Sequence, residues 1–239
     1  MCKEGNCKYL ILSIYLQNTC IDGFSTAKFD PVKILAVSDQ VVERMYTLAP
    51  AGHFKDVDLI LGCGDLPYSY LEYIVTMLCT PLYYVPGNHD PEFNSQDARS
   101  KAEGGFNLDL KTIIYKNTII GGFGGSIQYR PDGVNQYSQT GAYLRACALL
   151  PKLLFNSIRY KRSLDILITH SPPFGIHDDS DQAHQGFKAL NWLIKIAKPK
   201  YLLHGHTHFY RNNISDSETI YANTKIVNVY PYKVIEIKK

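Results

Sequence analysis

Asp39, Asp65, Asn88-His89-Asp90, His170 and His206-Thr207-His208 each follow a short apolar run of the chain. Carboxylate and amide oxygens suit hard divalent ions, and imidazole nitrogens suit Zn, Fe, Mn and Co. A set of Asp, Asn and His without thiolates fits Mn, Fe or Zn better than Ca or a structural, Cys-bound Zn. A central carboxylate can bridge two ions, and two metals about 3.5–4 Å apart can clamp both oxygens of a phosphoryl displacement. The chemistry within reach is therefore metal-assisted hydrolysis.

These residues need elements to hold them. Residues 32–37 read as a buried strand ending at Ser38-Asp39, and 41–49 as a helix. Residues 58–61 form a second apolar run, closed by Gly62-Cys63-Gly64-Asp65, and 70–78 a second helix. Residues 82–85 form a third strand, closed by Pro86-Gly87-Asn88-His89-Asp90. Later, 166–169 lead to His170, 187–197 form an amphipathic helix, and 201–203 lead to His204-Gly205-His206-Thr207-His208. Ligands bind beyond the carboxyl ends of parallel strands, so these loops should converge.

Between the two groups, 91–106 read as a long polar loop. Residues 112–115 and 118–122 read as a hairpin through Lys116-Asn117. Residues 143–158 have helical spacing, with Pro151 as a kink or break. Residue 221 and the runs 226–229 and 234–237 suit a second, mostly antiparallel sheet. The glycines from Gly121 to Gly125 lack the Gly-Lys-Ser/Thr ending of a phosphate loop, so close backbone approach is the preferred reading.

Ser38-Asp39, Gly64-Asp65, Gly87-Asn88-His89-Asp90, Thr169-His170-Ser171-Pro172-Pro173 and Gly205-His206-Thr207-His208 resemble, in order, the motifs of the calcineurin-like metallophosphoesterases. The likeness is strongest to their small, cap-free phosphodiesterases. It implies a four-layer α/β/β/α sandwich of two mixed sheets flanked by helices. It also implies two divalent ions: Asp65 bridging, Asp39 and His208 on the first metal, and Asn88, His170 and His206 on the second. A metal-bound hydroxide would attack phosphorus, His89 would assist the leaving group or transition state, and Asp90 would orient His89. The implied substrate is a small phosphate ester, more a diester than a monoester. Protein Ser/Thr phosphatases of the family carry an Arg near the Gly-Asn-His motif, whereas Asp90 is followed here by Pro91, Glu92 and Phe93.

The chain departs from the family at one point. The first motif usually reads Asp-x-His, but here it reads Asp39-Gln40-Val41, and Val41 cannot coordinate an ion. Glu43 is a candidate replacement from the following helix. Two readings stay open: a hydrolase with a weakened first metal site, and a non-catalytic scaffold on the same fold. Retention of His89 favours the hydrolase.

The 239 residues read as one catalytic domain over 31–239, preceded by an extension over 1–30. The formal net charge of +3 and scattered basic residues make a nucleic-acid partner unexpected. The apolar stretch 9–16 is too short to span a membrane, so no membrane partner is expected. The six cysteines include no Cys-x-x-Cys pair and read as reduced thiols of a cytoplasmic protein. His204 reads as a packed strand residue, and Trp192 as core. His53, His177 and His184 read as solvent-exposed or cleft-rim residues, with His184 placed to border the cleft.

Overall fold

The computed structural model describes residues 31–94, 96–208 and 217–237. The expected extension, 1–30, lies outside the described residues. The first sheet holds β1 (Val32–Val37), β2 (Leu59–Gly62), β3 (Leu82–Tyr84), β4 (Gly105–Asn107) and β13 (Tyr232–Ile237), in the order β13-β1-β2-β3-β4. The second holds β5 (Thr112–Tyr115), β6 (Thr118–Phe123), β9 (Ile166–Thr169), β10 (Tyr201–His204), β11 (Glu218–Tyr221) and β12 (Thr224–Asn228), in the order β11-β12-β10-β9-β6-β5. A short parallel pair, β7 (Ser126–Ile127) and β8 (Gln136–Tyr137), stands apart from both.

Alternation along β1 shows how the layers form. Ile34 and Ala36 face inward, where Leu59 and Leu61 meet Ile120, Ile166, Ile168 and Leu203 of the other sheet. Leu35 and Val37 face outward onto α1 (Met45–Leu48) and α2 (Tyr68–Leu78) through Met45, Tyr70, Leu71 and Ile74. On the far side, Leu167, Leu202 and Ile226 pack under α3 (Gln139–Tyr160) and α4 (Lys188–Ala197). Ala142, Ala146, Leu149 and Leu153 supply the α3 stripe, and Ala189, Leu190, Leu193 and Ile194 the α4 stripe. This is the expected α/β/β/α sandwich of two mixed sheets.

Four local readings change. The first helix is only Met45–Leu48, so Val41 lies in the turn before it. Pro151 lies inside α3 without ending it. The missing N–H deprives the Cys147 carbonyl of its helical partner, and both residues sit on the exposed side where water can serve. Strand β13 pairs antiparallel with β1 and so belongs to the first sheet, while β12 runs parallel to β10 in the second. The 91–106 loop contains a 3-10 turn (Ala98–Ser100) and leads into β4.

The hairpin is as expected: Lys116 and Asn117 both have positive φ, as a two-residue type I′ turn requires. Cys63 and Cys147 are free thiols, and Cys2, Cys7 and Cys20 lie outside the described residues. No helix among the described residues is long and apolar enough to cross a membrane.

Candidate metal centre

Strands β1, β2 and β3 are mutually parallel, as are β6, β9 and β10. Their carboxyl ends open on one edge of the sandwich. Asp39, Asp65 and His206 follow three of these ends, and all have positive φ, at 62°, 55° and 67°. Non-glycine residues rarely adopt this conformation, and such strain gathers where a side chain must be aimed. Gly87 shows how tightly the loops approach: a Cβ there would lie 2.0 Å from Asp65 Oδ1.

Asp65, His170 and His206 bring their ligand atoms within 4.8 Å of one another. His170 is fully buried. Its Nδ1 lies 2.8 Å from the Cys63 carbonyl, which makes Nδ1–H the donor. Nε2 is thereby aimed at Asn88 Oδ1, 3.0 Å away, and Asp65 Oδ2, 3.3 Å away. A backbone carbonyl that fixes the tautomer is the usual support of a ligating imidazole. His206 Nε2 donates to the Ala183 carbonyl at 2.7 Å, which leaves Nδ1 with its lone pair.

Charges agree with this arrangement. Burial alone would lift Asp65, but the charge and hydrogen bond of His170 outweigh it and bring the pKa to about 2. Burial pulls His170 down, yet Asp65 and Asp39 push it up to about 9. Burial and the neighbouring His170 charge lower His206 to about 3, so it stays neutral. A proton on His170 Nε2 thus sits where acceptors converge, and a divalent cation could take its place. The donor set is oxygen and imidazole, without thiolate, as Mn, Fe or Zn sites prefer.

The other expected residues are placed as follows. Asn88 is buried and touches His170, with its Nδ2 donating to the Tyr129 hydroxyl at 3.2 Å. Asp39 accepts the His206 N–H on both carboxylate oxygens at 3.0 Å, and burial raises its pKa. His208 is exposed and stacks on Tyr230, whose hydroxyl donates to Gln40 Oε1. Neither Asp39 nor His208 joins the three-donor group among the described residues. Val41 packs against the outer apolar cluster with Met45 and Tyr70, and Glu43 is exposed.

The His89 backbone N–H donates to Asp65 Oδ1 at 2.8 Å, and its side chain is 69% exposed, with Nε2 4.0 Å from Asp65 Oδ2. The buried Asp90 carboxylate does not orient that ring. Its Oδ2 instead accepts the backbone N–H groups of Gly87 at 2.8 Å and Asp65 at 2.9 Å. Burial lifts its pKa to about 6.

Some participants carried no sequence signal. Asn135 donates to the carbonyls of Gly87 and Asp90, and Tyr129 holds Asn88. They lie in a loop distant in sequence from any motif. His184 does border the site, its ring 5.1 Å from that of His206. His53 is exposed, as expected. Trp192 is partly buried against the α3–α4 core and meets Tyr143 edge-on. His177 is not a rim residue: it is half-buried and bonded to His204 and Thr219. Gly122 and Gly124 confirm close backbone approach, since a Cβ on either would press into the Leu108 or Pro86 carbonyl.

Fold and donors together define a two-sheet α/β protein with a metal-ligand cluster at its strand ends. The sequence matches the model of the calcineurin-like phosphoesterase family over residues 33–210. The chain belongs to that family. It is 25% identical over 219 residues to UPF0046 protein K07C11.7 of Caenorhabditis elegans, covering 82% of this chain and 70% of that protein. Among solved structures, TT1561 of Thermus thermophilus superposes with a TM-score of 0.53 at 19% identity, covering 84% of this chain and 89% of that one. Another superposes at 0.57 with 15% identity, covering 87% and 99%. At these identities the structures bear on the fold alone.

Proposed function

We propose that the chain is a metal-dependent phosphodiesterase in which Asn88, His170 and His206 serve one ion, Asp39 and His208 serve the first-motif ion, the weaker of the two, and Asp65 serves both. The observation that carries this is the convergence of Asp65, His170 and His206 beside the exposed His89 ring. Mn, Fe or Zn, when bound, would polarise the phosphoryl group and acidify water.

The chain's own groups do the rest. Asp65 presents an ionised carboxylate, and His170 and His206 present nitrogens whose opposite ring atoms are tied to backbone carbonyls. His89 stands in the cleft beside Asp65, where its ring can hold a proton for the leaving oxygen. Asp90 locks the Asp65 and Gly87 backbones rather than acting on substrate. An open cleft of about 660 Å³ beside Asn88 and His89 has room for both substituents of a diester. Residues 31–239 are read as one domain. A cytoplasmic setting is supported by the free Cys63 and Cys147.

Val41, turned into the apolar cluster, favours the second reading to this extent: the first ion lacks a ligand. Turnover of bis-p-nitrophenyl phosphate with added Mn²⁺, Fe²⁺ or Zn²⁺ separates the two. The hydrolase shows metal-dependent turnover that falls at least about 100-fold in His89→Ala, the scale of a lost general acid. A scaffold shows no turnover with any of the three metals.

A further inference from the structure

The Tyr129 ring stands between the Asn88 amide and the guanidinium of Arg130. Its hydroxyl accepts from Asn88 Nδ2 at 3.2 Å, and Arg130 Cζ lies 5.5 Å from the ring centroid. The loop that carries both residues is stitched down. Gln136 Oε1 accepts the backbone N–H groups of Tyr129 at 3.2 Å and Arg130 at 3.1 Å. Asn135 donates to the carbonyls of Gly87 at 3.0 Å and Asp90 at 3.1 Å. The β7–β8 pair closes the base of the loop through Ser126 opposite Gln136 and Ile127 opposite Tyr137.

Arg130 lines the same cleft as His89. Arg99, Arg145 and Arg162 each hold a carboxylate. Arg130 holds none among the described residues, and Asp132, which shares the cleft, is not within ion-pair distance of it. An exposed guanidinium held only within cation–π range of an aromatic ring keeps its donors free, and its planar fork matches phosphate oxygens. The anchored loop reduces the ordering cost of binding.

We infer that Arg130 is an anchor for a second anionic group of the substrate, so that the preferred substrate class is a diester of diphosphate rather than of a single phosphate. This rests on the hydrolase reading of the same cleft. A phosphate seated at Asn88 and His89 is separated from Arg130 by the Tyr129 ring, so the guanidinium meets the next group along. Tyr129 sets that spacing, and Asn135 keeps the loop in register with Gly87 and Asp90.

The test is kcat/KM of the Mn²⁺-loaded protein for two substrates. P1,P2-di(adenosine-5′) diphosphate carries two phosphates, and thymidine 5′-(p-nitrophenyl phosphate) carries one. Arg130→Ala should lower kcat/KM about tenfold for the first and leave the second within twofold, while Arg130→Lys recovers part of the loss. Equal loss on both substrates, or on neither, overturns the inference. Thermal melting of the variants shows whether the loop still folds, and Tyr129→Phe, which keeps the ring beside Arg130, should leave the diphosphate preference intact. Turnover of bis-p-nitrophenyl phosphate by the wild type is read separately: its absence removes the hydrolase reading, and the inference with it.

Discussion

The buried carboxylate of Asp90 accepts the backbone N–H of Asp65 at 2.9 Å and so ties the loop after β3 to the loop after β2. The same oxygen takes the N–H of Gly87. The residue most expected to aim a catalytic imidazole instead shapes the backbone that aims Asp65.

That relationship predicts the cost of its loss. Asp90→Ala leaves two buried N–H donors without partners, at about 1–3 kcal/mol each. Urea unfolding should show a destabilisation of about 3 kcal/mol, with metal affinity reduced because Asp65 is no longer held. An unchanged midpoint would mean that water satisfies those donors.

Gly87 makes a stereochemical prediction. A Cβ at this position falls 2.0 Å from Asp65 Oδ1 and 2.7 Å from the Asp65 nitrogen. Neither atom can move without breaking a bond to His89 or Asp90. Gly87→Ala should abolish tight metal retention while the outer apolar layers still fold. Retained metal at wild-type affinity would show that the loops yield.

The His177–His204 pair predicts a pH dependence. His177 Nδ1 lies 2.9 Å from His204 Nε2, and His177 Nε2 lies 2.8 Å from Thr219 Oγ1. Burial, helped by the Lys233 charge and opposed by Asp178, lowers His177 to about 4. Burial and the charge of His177 lower His204 as well. Lowered pKa values mean that the unfolded chain binds more protons, so stability rises with pH in this window. The contribution is complete above about pH 6.5 and is lost as pH falls through about 4. Wild-type protein should lose more stability than His177→Gln over that interval, by about 1 kcal/mol once solvent screening of the half-buried ring is allowed for, as read by urea unfolding at each pH. Parallel curves for the two proteins would contradict it.

Each metal loop closes a short apolar strand, and three of them do so with a Gly-Asp, Gly-Asn or Gly-His step where no helix continues, while Asp39 and His170 follow Ser38 and Thr169. Those signals are local, and so is the Lys116-Asn117 turn. The pairing of β13 with β1 was hidden, since 234–237 alternate in the same way whichever sheet receives them. The reach of Tyr129 and Asn135 to Asn88, Gly87 and Asp90 was hidden for the same reason: it spans more than forty residues and depends on tertiary closure. Val41 was legible as a missing ligand, but its packing with Met45 and Tyr70 was not.

The central claim is that Asp65, His170 and His206 hold a divalent metal. Elemental analysis of Mn²⁺-loaded, desalted protein tests it most directly, beside His170→Ala. The account predicts at least one ion retained per wild-type chain and its loss from the variant, with any second ion released first on dilution. A wild-type chain that retains no ion, or a variant that retains it equally well, would contradict the account.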